Sequence, residues 1–68
     1  MRTRKIAPGS YRCFLPFTKG YATIQQTRSG WTLLLFDAFD ALDLNGGIWP
    51  TLSAAKVEAE YLLAKGGK

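Results

Sequence analysis

Hydrophobic positions recur along this chain with two periods, and the change between them divides it. From Thr51 to Lys65 the pattern is helical, with no Gly or Pro in a run rich in helix formers. Pro50 ends what precedes it, Thr51 suits the N-cap, Lys65 suits the negative end of the dipole, and Gly66-Gly67 supply a left-handed stop. At about 100° per residue, Leu52, Ala55, Ala59, Leu62 and Leu63 form one stripe. Ala54, Val57, Tyr61 and Ala64 form a second, opposite stripe. One stripe suffices to dock a helix on a sheet. The second reads as an incidental surface valine and tyrosine, as a face buried beneath the 37–47 segment, or as a contact with a foreign protein or with a second copy of the chain as a homodimer.

Upstream the period is two. In Ser10–Phe17, Tyr11, Cys13, Leu15 and Phe17 alternate with Arg12 and Phe14, and Pro16 marks an edge or an end. Thr18-Lys19-Gly20 reads as a hairpin connection. Tyr21–Arg28 is a second strand, with Ala22, Ile24 and Gln26 on one face and a polar set, Tyr21, Thr23, Gln25 and Thr27, expected to meet water. After Arg28-Ser29-Gly30, Trp31–Phe36 is apolar on both faces and is expected to be central or covered on both sides. Asp37, Asp40 and Asp43 recur every three residues, as do Phe36, Phe39 and Leu42. With Asn45-Gly46-Gly47 as a turn signal, residues 37–47 read as a loop with helical character. A longer third strand paired with Ile48-Trp49 is the alternative.

Residues 1–9 read as a flexible basic arm broken off by Pro8-Gly9, and residues 10–68 as one domain. The expected fold is α+β: a three-stranded antiparallel sheet with the C-terminal helix packed on one face. Its core is expected to include Ile24, Leu33, Leu35, Leu52, Ala55, Ala59 and Leu62.

Charge changes the picture at the ends. The net charge is +4, but Arg2, Arg4, Lys5 and Lys68 account for the excess; the remaining five basic residues balance five acidic ones. Sixty-eight residues form one small domain with a marginal core. The lone Cys13 has no internal disulfide partner and suits a reducing compartment. With no signal-like or membrane-spanning run, the expected setting is cytoplasmic, with no membrane partner.

Catalytic chemistry finds little support. There is no histidine, the commonest general base and metal ligand. Cys13, at an alternating position, reads as a small buried hydrophobe. Asp40 to Gly46 resembles part of a calcium loop, but the register would put Ala41 and Leu52 where ligating oxygens are needed. No Gly-Lys-Ser/Thr follows Gly46-Gly47, so no phosphate loop is present. The reading is therefore a non-enzyme with no metal or cofactor. Arg2, Arg4, Lys5 and Arg12 are the candidates for contacting nucleic acid, through the arm and the sheet. Tyr11, Tyr21 and Trp31 are candidate stacking platforms, or ordinary cross-strand pairs.

Two resemblances bear on function. Three short strands followed by a helix opening Thr-Leu-Ser-Ala-Ala-Lys-Val-Glu-Ala-Glu is similar to the arm-type DNA-binding modules of phage integrases. The likeness covers residues 10–65 as an element order and Thr51, Ala55 and Glu58-Ala59-Glu60 as residues. It implies a module that reads DNA with its sheet. In compactness, lack of catalytic groups and mixed acidic and aromatic surface, the chain also resembles small phage-encoded inhibitors of the anti-CRISPR type. That likeness implies a stoichiometric inhibitor occupying a host protein or nucleoprotein complex. Asp37, Asp40 and Asp43 would imitate phosphates, and Val57 and Tyr61 would serve as apolar anchors. The leading expectation is such a protein-binding inhibitor of phage or mobile-element type; the alternative is the nucleic-acid-binding module.

Overall fold

The computed structural model describes residues 1–16 and 19–66. Five strands and one helix follow in order: β1 (Arg2–Ala7), β2 (Ser10–Phe14), β3 (Tyr21–Thr27), β4 (Gly30–Phe36), β5 (Leu42–Trp49) and α1 (Leu52–Gly66). The strands pair antiparallel with their chain neighbours in the order β1-β2-β3-β4-β5. The class is α+β, but the sheet has five strands and not the three expected from the sequence.

Both extra strands lie at edges. Residues 2–7, read as part of an arm, pair with β2, Arg2 opposite Phe14 and Arg4 opposite Arg12. Pro8-Gly9, read as a break, is the β1–β2 turn: Gly9 takes φ 74°, and its carbonyl accepts from the Gln26 N–H at 2.7 Å. A charged strand is tolerated here because its outer edge faces water.

The second extra strand, β5, replaces the loop expected over 37–47. Only residues 37–41 turn. One carboxylate oxygen of Asp37 accepts from the N–H groups of Phe39 (2.8 Å) and Ala41 (3.0 Å), while the Asp37 N–H donates to the Ala41 carbonyl. Asp40 completes the turn in the left-handed region, φ 61°. Asn45-Gly46-Gly47 lies inside β5 as a bulge, because the ladder passes from Leu33 opposite Gly47 to Leu34 opposite Asn45. Gly46 is required there: a Cβ would meet Leu33 Cγ at 2.6 Å.

The helix matches its expected span closely. Thr51 Oγ1 accepts from the Ala54 N–H at 3.1 Å, closing the N-cap. Its inner stripe covers β2 to β5 and makes no contact with β1 among the described residues. The core is Cys13, Ala22, Ile24, Leu33 and Leu35 from the sheet and Ala55, Ala59 and Leu63 from the helix. Leu52 and Leu62, expected in the core, are half-buried at its margin. Ala55 and Ala59 let the helix approach the sheet closely, so a short chain fills its interior with small and aliphatic side chains.

Among the described residues, one face of the sheet is covered and the other is not. β4 is paired on both edges, but the apolar face carrying Leu34 and Phe36 lies away from the helix, where no other element covers it among the described residues. Trp31–Phe36 is thus central, one of the two expected alternatives, and is not covered on both sides among the described residues. Phe17 and Thr18, expected at the end of the first strand and in its hairpin, lie outside the described residues, as does the stop residue Gly67. Among the described residues no helix is long and apolar enough to cross a membrane.

Candidate nucleic-acid interface

Residues paired across an antiparallel ladder point to the same side. Arg4 opposite Arg12, Arg12 opposite Thr23 and Thr23 opposite Leu34 therefore define the face away from the helix. Two residues along each strand, the same face carries Arg2 and Phe14, then Tyr21 and Phe36. Alternation thus brings Arg2, Arg4 and Arg12 together at the β1–β2 side of an uncovered sheet. Lys5, grouped with them by sequence proximity, pairs with Tyr11 and points to the other side.

Arg2 and Arg4 are exposed and Arg12 is half-buried. Among the described residues, none of the three forms an ion pair; the salt bridge found joins the Met1 amino group to Glu60 at 3.4 Å. Every acidic residue of the chain falls between positions 37 and 60, away from β1 and β2 in sequence. The Arg12 guanidinium lies over the Tyr21 ring, 4.7 Å from its centroid. Its Nε is buried and has no hydrogen-bond partner among the described residues. An unmet buried donor costs about 1–3 kcal/mol, so packing on the ring holds this side chain where hydrogen bonding does not. An open cleft beside Arg2 and Arg4 is bounded by Phe14, Leu15 and Pro16.

The aromatic residues separate by face. Tyr21 stacks on Phe36, centroids 5.3 Å apart and rings 17° from parallel, with Phe14 tilted at 6.4 Å. Tyr11 and Trp31 lie on the helix side, 6.0 Å apart, packed against the core. The three candidate platforms, Tyr11, Tyr21 and Trp31, therefore do not form one surface. Tyr21 is itself engaged: Arg12 and Phe36 lie against the ring, and its hydroxyl donates to Asp40 Oδ1 at 2.7 Å. That hydrogen bond, lost on ionisation, raises the Tyr21 pKa above its ordinary value, with desolvation and the Asp40 charge adding to it.

The aspartates have local duties. Asp37 holds the β4–β5 turn and Asp40 holds Tyr21. Asp43 is exposed at a ladder irregularity between Leu42 and Leu44. Val57 (71% exposed) and Tyr61 (57%) project from the outer side of the helix. The structure therefore leaves the second stripe uncovered, on the opposite side of the sheet from the Asp40–Tyr21 contact. Sequence reasoning missed Phe39, which is 89% exposed at the tip of the 37–41 turn. Its signal, an aromatic residue between two turn aspartates, was absorbed into a helical reading.

Cys13 is fully buried, and desolvation pushes its thiol above the ordinary value; the Thr3 hydroxyl donates to its Sγ at 3.8 Å. Among the described residues no group of three or more His, Cys, Asp or Glu side chains is placed to hold a metal ion. In comparisons with known proteins, no family model matches the chain, and neither a curated protein nor a solved structure matches it.

Proposed function

We propose that this chain is a non-catalytic nucleic-acid-binding module that grips the phosphate backbone with Arg2, Arg4 and Arg12. One observation carries the reading. Arg4 and Arg12 stand directly opposite each other on paired strands, Arg2 lies on the same face, and no carboxylate pairs with them among the described residues. Like charges directly opposite are destabilising by roughly 0.2–1 kcal/mol, and a bound polyanion relieves that repulsion. The shared face of Arg2, Arg4 and Arg12, which Lys5 does not join, supports this reading.

The test is titration of a labelled oligonucleotide by fluorescence anisotropy over a salt series. Binding should weaken with salt, and Arg4→Glu should lower affinity about tenfold or more and flatten the salt slope by about one contact. Lys5→Glu makes the same charge change at the neighbouring position on the other face and should cost clearly less. Equal losses from the two variants would reduce the effect to net charge and remove the site.

The exposed Val57 and Tyr61 favour a second reading: a protein partner on the outer helix face, as expected of an inhibitor that occupies a host protein surface. With Ala54 and Ala64 they follow a 3-4-3 spacing, the seam used by paired helices. Light scattering across a concentration series should find Tyr61→Asp folded. A wild-type dimer that becomes a monomer in this variant would assign the stripe to self-association. A monomer in both would leave it for a foreign protein.

A further inference from the structure

We infer that the open sheet face accepts single-stranded nucleic acid in preference to duplex, with phosphates along Arg2, Arg4 and Arg12 and bases over the apolar surface of β4 and β5. This rests on the nucleic-acid reading and specifies its ligand.

The inference comes from how charge changes across the sheet. Among the described strand residues, cations occupy the open face only at β1 and β2. From β3 onward the same face carries Tyr21, Thr23 and Gln25, then Thr32, Leu34 and Phe36, then Leu42 opposite Phe36, Asn45 opposite Leu34 and Ile48 opposite Thr32, so that no cation and a growing share of apolar side chains meet the ligand. Leu42 and Ile48 are both more than half exposed. The Asp40 carboxylate, held by the Tyr21 hydroxyl, lies near the middle of this face, on the same tyrosine whose ring carries the Arg12 guanidinium. With strands about 4.8 Å apart, the cationic side and the apolar side are separated by roughly 10–15 Å.

A duplex presents phosphates on both walls of a groove, the major groove being about 12 Å wide. A protein seated across it needs donors on both flanks. Here the second flank offers leucine and isoleucine, which would desolvate the second row of phosphates. A single strand has one row of phosphates and unpaired bases with apolar faces, and it matches a surface that is cationic on one side and apolar on the other. Tyr21 contributes by holding the Arg12 guanidinium; with Arg12 and Phe36 against its ring, the base contacts fall to Leu34, the exposed edge of Phe36, Leu42 and Ile48.

The experiment uses one labelled oligonucleotide as single-stranded DNA, as single-stranded RNA, and annealed to its complement, against wild type, Arg4→Glu and the double variant Leu42→Asp with Ile48→Asp. Circular dichroism confirms folding; both substituted leucine and isoleucine positions are exposed, so the core is untouched. Wild type should bind at least one single-stranded form about tenfold more tightly than the duplex, and the double variant should reduce that preference to near unity. Duplex binding as tight as single-strand binding, or an unchanged preference in the double variant, overturns the inference while leaving the backbone-binding reading intact if Arg4→Glu still weakens both. Absence of salt-sensitive binding to every form overturns the reading and the inference together. The difference between the DNA and RNA arms identifies which polymer is preferred.

Discussion

The two faces of the sheet are built from the same strands by alternation, yet they solve opposite problems. On the helix side, Cys13, Ala22, Ile24, Leu33 and Leu35 are buried, and no polar or charged residue is buried with them among the described residues. On the open side, their immediate neighbours Arg12, Tyr21, Thr23, Leu34 and Phe36 are all half-buried. These are large, mixed in character and packed on each other: guanidinium on phenol, phenol on phenyl. The first face maximises apolar contact with a second layer. The second has no covering layer among the described residues, and it shelters its apolar atoms beneath long side chains whose polar ends reach water. The difference shows that an uncovered sheet face need not be a polar one, and that its leftover charge and apolar surface are where a ligand can be sought.

The sharpest way to break the comparison is to truncate adjacent leucines. Leu33→Ala should cost about 2–5 kcal/mol, because the side chain is fully buried and leaves a cavity under the helix. Leu34→Ala, one residue on and half-buried on the open side, should cost about 1 kcal/mol. Urea denaturation of the two variants measures the gap; equal losses would mean that something covers the open face. A smaller effect has the opposite sign for fold and function. Arg4→Glu replaces a cross-strand like-charge pair with an opposite-charge pair, so it should stabilise the fold by roughly 0.2–1 kcal/mol while weakening oligonucleotide binding.

The smallest effect concerns pH. The Tyr21 pKa is raised in the folded state, chiefly by the hydrogen bond to Asp40. The native state therefore holds this proton more tightly than the unfolded chain does. The associated stability is fully present below the unfolded value near 10 and is lost as pH rises through the higher folded value. Asp40→Asn keeps a residue tolerant of positive φ and removes the charge. Phenolate absorbance should then show one tyrosine titrating at lower pH, and the alkaline loss of stability should begin earlier.

Much of the middle of the molecule was legible in advance. Period-two alternation marked β2 and β3, a continuous apolar run marked β4, and the expected buried positions Ile24, Leu33 and Leu35 are buried. Both edges were misread, for different reasons. β1 lacks an apolar face because the helix does not reach it and all its residues but Thr3 are exposed, so it resembles a tail until β2 pairs with it. β5 contains Asn-Gly-Gly, a strong turn signal, which here forms a bulge that lets the strand pass Leu33. Of the candidate sites, the sequence pointed to the arginines, but as an arm; their shared face depends on register.

The sequence by itself determined the helix, because helical hydrogen bonds and the Thr51 cap are local, and it determined the helix's two stripes, because 3.6 residues per turn place them. It also determined the three middle strands, whose alternation in β2 and β3 and apolar run in β4 need no neighbour to be seen. Only the tertiary structure decided that the sheet has five strands, that Arg4 meets Arg12, and that the face carrying them lies open. Strand pairing is non-local: an edge strand takes its conformation from the ladder it joins, and the face a side chain occupies follows from a register fixed several residues away.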